Sequence, residues 1–149
     1  MLHATRGKKL LFALVILASS AIVAFAAYRV REAVLFARLP EAEKKIVGAW
    51  SWTYLEGVGR MIFTPDHRVK EGFPKGDDER PPRSDRDFAY RTFGTWHLEH
   101  DVLVLITDTD LRPWAEPIMG KIRREKIVSI DDNRIVFEGN HSPFERVHR

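Results

Sequence analysis

The chain has 149 residues, a formal net charge of +3, a pI near 9.3 and no cysteine. The missing thiol excludes disulfides, thiolate metal sites, cysteine nucleophiles and a lipid anchor of the bacterial lipoprotein kind. Basic residues are interleaved with acidic ones, as in GKIRREK and DDERPPRSDRD. They leave no continuous track for a phosphate backbone, so nucleic acid is not an expected partner.

Met1 to Lys9 is a short tail with Arg6, Lys8 and Lys9 directly before an apolar run. That run, Leu10 to Tyr28, carries nineteen residues without a charge. As a helix it would be about 28 Å long, close to the thickness of a bilayer's hydrocarbon core. Residues 1–28 are therefore expected to be a cytoplasmic tail and a transmembrane signal anchor. Ala24-Phe25-Ala26 has the small-x-small shape of a cleavage site. The length of the run argues for retention, with membrane contact through residues 10–28. Arg29, Arg31 and Arg38 follow the span and compete with the basic tail in setting orientation. A nine-residue tail is expected to stay in the cytoplasm, which places the remainder outside, in a bacterial envelope in the periplasm. Ser20, Ala24 and Ala27 lie near one face of the span and would let a second helix approach closely, although alanine is common in any apolar span.

Residues 29–46 read as a helical stalk and linker. RVREAVLFARL keeps helical spacing, with Val30, Ala33, Val34 and Ala37 on one side. Pro40 should end this helix and can open a new turn. Glu41 and Glu43 followed by Lys44 and Lys45 suit the dipole of a second short helix.

Residues 47–149 read as one antiparallel β domain. In the first strand Trp50, Trp52 and Tyr54 alternate with small polar residues, the period of a strand with one buried face. Gly57 and Gly59 interrupt the pattern. Arg60 to Phe63 follows as a strand with Met61 and Phe63 inward, and Thr64-Pro65-Asp66-His67 turns into Arg68 to Phe73. Residues 74–87, rich in proline and charge, form a loop. Phe88 to Leu98 resumes the β pattern, Glu99-His100-Asp101 turns the chain, and Val102 to Thr107 is an apolar run buried on both faces. Asp108 to Met119, with Pro113 and Pro117 around Trp114, is irregular. Lys121 to Ile130, Arg134 to Glu138 and Phe144 to His148 complete seven or eight strands, with no helix inside the domain.

A short helix, then Gly48-x-Trp50 opening the first strand, then antiparallel hairpins and an arginine in the last strand resemble the lipocalin or wider calycin pattern over residues 40–149. The resemblance implies a small barrel of up-and-down strands. It also implies that Trp50, beside Gly48, closes one end under a late arginine, Arg146, or else Arg149. Many small bacterial envelope proteins look similar, with a membrane segment ahead of a lipocalin-like domain.

Candidate chemistry is sparse. His97, His100 and Asp101, with His141 and His148 joining in space, carry donors that suit zinc or copper. On a strand, however, His97 and His100 point to opposite faces, and they are expected to be surface turn residues. Asp108 and Asp110 would face one way, but no nucleophile, phosphate loop or repeated ligand spacing accompanies them. No metal, cofactor or catalytic residue is expected. Trp50, Trp52, Tyr54, Phe63, Trp96 and Phe137 line strands that should share an interior, and core packing explains most of them. Trp114 stands in an irregular segment that suits the lip of a pocket, the membrane interface or a lid over the barrel's end. Trp52, Phe63, Trp96, Trp114 and Phe137 are thus the candidate lining of an apolar site. The leading expectation is a non-catalytic, membrane-tethered binding module for an apolar or lipid-like small molecule. The alternative is a structural accessory subunit that docks into a membrane-protein assembly.

Overall fold

The structure, a computed structural model, describes residues 3–54, 57–74, 88–107, 122–139 and 142–147. By internal contacts the chain divides into two units, Met1–Arg38 and Leu39–Arg149.

The first unit is one helix, α1 (His3–Arg38), of 36 residues. Its stretch from Leu11 to Arg38 has a hydropathy of 2.3 and is long and apolar enough to cross a membrane. Leu14, Leu17, Ile22 and Phe25 are each more than half exposed, an arrangement that water disfavours and lipid tails do not. The two serine hydroxyls in the run are satisfied within the helix. Ser19 donates to the Val15 carbonyl at 2.8 Å and Ser20 to the Ile16 carbonyl at 2.9 Å. Such internal pairing removes the cost of polar groups in hydrocarbon.

The helix ends before Pro40, and α2 (Glu41–Ile46) begins directly after it. Acids occupy its first turn and lysines its last, as the backbone dipole favours. Eight strands follow: β1 (Gly48–Tyr54), β2 (Gly57–Phe63), β3 (Arg68–Pro74), β4 (Phe88–Glu99), β5 (Val102–Thr107), β6 (Ile122–Ile130), β7 (Arg134–Phe137) and β8 (Phe144–Arg146). Each pairs antiparallel with the next, and β8 returns to β1 to close a barrel. Closure leaves the sheet with no first and last strand, the exposed edges on which other chains could pair.

β2 departs from the sequence reading: it runs through Gly57 and Gly59 without interruption. Gly59 pairs with Trp52, and a Cβ there would run into the Trp52 indole. The missing side chain is therefore what lets the ring lie across the neighbouring strand. β8 is also shorter than the pattern suggested, ending at Arg146, although the Val147 N–H still donates to the Ala49 carbonyl at 2.9 Å. The register slips once between β3 and β4 and once between β6 and β7, the bulges that curve a sheet into a barrel.

The core holds Trp50, Met61, Phe63, Val69, Trp96, Leu103, Leu105, Ile135, Phe137 and Phe144, contributed by strands all round the barrel. Ile46, fully buried, adds the end of α2 to it. Topology puts α2, the turn 64–67, the β4–β5 turn and the β6–β7 turn at the same end of the barrel. That end is the closed one.

Candidate functional site

The aromatic candidates fall into two groups. Phe63 and Trp96 are 1 % exposed and meet edge to face, with centroids 5.6 Å apart. Phe137 is 3 % exposed and meets Phe144 edge to face at 5.0 Å. Such T-shaped pairs are the preferred geometry of rings packed against each other. Trp52 is half-buried, one step along β1 beyond Trp50 and away from the closed end, and stacks on Phe144 at 5.1 Å. Trp114 lies outside the described residues. The structure thus brings Phe63, Trp96 and Phe137 together as core and leaves Trp52 partly accessible.

The inner face changes character along the barrel. Leu103 stands opposite Glu125 and Leu105 opposite Arg123, so the register puts both charged residues on the inward-facing series of β6. Arg123 Nε lies 2.5 Å from Glu125 Oε1. On β3, Glu71 stands opposite Met61 and shares its face. The lining is apolar toward the closed end and polar away from it.

At the closed end, Trp50 is fully buried and its indole N–H donates to the Ile46 carbonyl at 2.7 Å. The Arg146 guanidinium lies 4.2 Å above the Trp50 ring. Its Nη1 donates to the Val47 carbonyl at 3.0 Å, its Nη2 to the Lys45 carbonyl at 2.6 Å and its Nε to the Asp132 carbonyl. One planar fork therefore ties the α2–β1 corner to the β6–β7 turn, a geometry that an ammonium cannot reproduce. Burial lowers the Arg146 pKa from its ordinary value while the Asp132 charge acts the other way. Gly48 sits at φ +142°, and a Cβ there would collide with Arg146 Nη1. Arg149 lies outside the described residues.

A second tie at this end was not read from the sequence. Glu43, 8 % exposed, accepts at Oε2 from His67 Nε2 at 3.0 Å and at Oε1 from the Leu98 N–H at 3.4 Å. His67 holds a left-handed backbone, φ +59°, and its ring lies 5.1 Å from that of Trp96. Its carbonyl accepts the Trp96 N–H at 2.8 Å, and the Trp96 indole donates to the Thr64 carbonyl at 3.2 Å. Within EAEKKI nothing marks Glu43 off from Glu41, which is exposed and paired with Lys44. Only His67 in a Pro-Asp-His turn offers a signal, since histidine is enriched at left-handed positions.

His97 and His100 do not meet at a shared site. His97 Nε2 is 3.1 Å from Glu99 Oε1, and His100 occupies the next turn at φ +62°. Among the described residues no three His, Asp or Glu side chains converge to hold a metal. Asp108, Asp110, His141 and His148 lie outside the described residues. Carbonyls, a carboxylate and an aromatic face thus hold α2 to the barrel. Comparisons of the chain with known protein families, with curated proteins and with solved structures found no match.

Proposed function

We propose that the protein is a non-catalytic, membrane-tethered module of the cell envelope whose lipocalin-like barrel serves as a solid scaffold, an accessory subunit of a membrane assembly. One observation carries this reading over that of a hollow carrier. Phe63, Trp96 and Phe137, the side chains best suited to line an apolar site, are packed among themselves and their neighbours. The partly accessible inner face beyond them carries Glu71, Arg123 and Glu125, a poor lining for a hydrocarbon chain. α1 supplies the tether, retained as a signal anchor with the barrel on the periplasmic side of an inner membrane. Protease added to intact spheroplasts should then digest the barrel; digestion only after the membrane is opened would reverse the orientation.

The half-buried Trp52 favours a second reading, an apolar ligand at the mouth. Both are tested by titrating the full chain in mild detergent with a fluorescent fatty-acid probe. The scaffold reading expects no stoichiometric binding and no rise in the barrel's unfolding temperature. Saturable binding that raises this temperature and is lost in Trp52→Ala would replace it with the ligand reading.

A further inference from the structure

Charge is divided unevenly along this chain. Arg6, Lys8, Lys9, Arg29, Arg31 and Arg38 against the single acid Glu32 leave +5 on residues 1–38, and the total of +3 therefore leaves −2 on residues 39–149. The basic residues sit at both ends of the uncharged run from Leu10 to Tyr28 and nowhere within it. Beyond that run α1 continues for ten residues, a rise of about 15 Å. A headgroup layer is roughly 5–8 Å thick on each side of the hydrocarbon core. With Tyr28 at the hydrocarbon boundary, Arg29 and Arg31 fall inside that layer and Arg38, about 15 Å along, lies well past it.

Helix geometry decides how these cations are presented. At about 100° per residue, Arg29 and Arg31 project from α1 about 200° apart, on opposite sides. Both are exposed, as is Arg38. A helix lying flat on a membrane would gather its charges on one face; these project from two opposite sides, Arg29 on one and Arg31 and Arg38 on the other, as suits a helix that passes through the layer. The one acid in the segment, Glu32, accepts a hydrogen bond from the Tyr28 hydroxyl at 2.6 Å and lies about 60° round the helix from Arg29 and about 100° from Arg31. Val30 and Val34 remain 63 % and 43 % exposed beside the arginines, apolar surface that the acyl boundary would cover.

We propose that α1 recruits anionic phospholipid headgroups around itself at both ends of its apolar run, with Arg29 and Arg31 as the contacts on the barrel-proximal side. The inference rests on the membrane-tether reading and adds the class of lipid. Phosphate oxygens match the guanidinium fork, and a net negative headgroup leaves charge for it to neutralise where a zwitterionic one does not. The barrel, at −2, adds no attraction to such a surface.

The test reconstitutes the full chain in vesicles of phosphatidylcholine mixed with phosphatidylglycerol. Electron paramagnetic resonance then measures how spin-labelled phosphatidylglycerol and phosphatidylcholine compete for the protein's lipid shell. The expected preference for phosphatidylglycerol is about fivefold or more, what one arginine at an anionic surface supplies. It should shrink in high salt and in the Arg29→Gln/Arg31→Gln variant. Equal association of the two lipids, or a preference that only an Arg6→Gln/Lys8→Gln/Lys9→Gln variant abolishes, would overturn the assignment. An alkaline carbonate wash of the same vesicles separates the two levels. A chain retained without lipid preference loses this inference alone, and a chain washed off loses the tether reading together with it.

Discussion

Trp50 and Arg146 show how a few atoms hold one end of the barrel. The indole is fully buried, spends its N–H on the Ile46 carbonyl and carries the guanidinium on its face. Removing a buried indole leaves a cavity that neighbouring strands cannot close. Trp50→Ala should therefore cost about 3–5 kcal/mol of stability, a large part of what a small domain has. Denaturant unfolding of the full chain in mild detergent measures it. Gly48→Ala acts on the same knot from the other side. Its methyl group would need the space of Arg146 Nη1 and a backbone conformation that favours glycine. It should lower the unfolding midpoint without touching Trp50 itself, and Gly48→Ala in an Arg146→Ala background should cost less than in the native chain.

At the scale of elements, α2 is held by contacts of different strength. The Glu43–His67 pair joins a buried carboxylate to an imidazole that is 41 % exposed, so solvent screens much of the attraction. A double-mutant cycle with Glu43→Ala and His67→Ala should give a coupling of about 1 kcal/mol or less. Glu43→Ala alone should cost more than the coupling, because the Leu98 N–H then loses its acceptor as well. Glu41 behaves differently. The hydrogen bond from Lys44 at 2.7 Å, then that ammonium's charge, hold its carboxyl below the ordinary glutamate value. A depressed carboxyl stabilises the fold above its unfolded pKa and ceases to do so as the pH falls through the folded one. The benefit is thus intact at neutral pH and lost only in acid. Carbon-detected NMR of the side-chain carboxyl should show Glu41 titrating lower than a free glutamate, and Lys44→Met should move it back up.

For the whole molecule, the two units dispose their apolar surface differently. α1 exposes apolar side chains along its length, whereas the barrel unit buries its aromatics around a single core. That core draws on seven of the eight strands and on α2, with Ile127 and Ile130 of β6 packed against it. A chain starting at Leu39 should accordingly be soluble without detergent and unfold cooperatively with the near-ultraviolet circular dichroism of the full protein. Loss of that signal on removing residues 1–38 would mean that the barrel depends on the helix.

What the sequence determined by itself is what short-range chemistry controls. Nineteen uncharged residues make a helix long and apolar enough to cross a membrane, proline at 40 ends it, and alternation of Trp50 with Trp52 or Met61 with Phe63 sets which face of a strand turns inward. The turn at 64–67 was legible too, because its hydrogen bonds, such as Thr64 Oγ1 to Asp66 and the His67 N–H to Thr64, stay within a few residues. The tertiary structure alone decided the rest. Glu43 and Glu41 have the same local pattern, yet only one lies under a strand end and a turn that folding brings to it. Gly59 looked like a break until the indole of a neighbouring strand covered it. Arg123 and Glu125 stand on the inward-facing series of β6 only because the register sets them opposite Leu105 and Leu103. Each of these depends on partners distant in sequence, whose positions follow from strand register and closure rather than from the residues beside them.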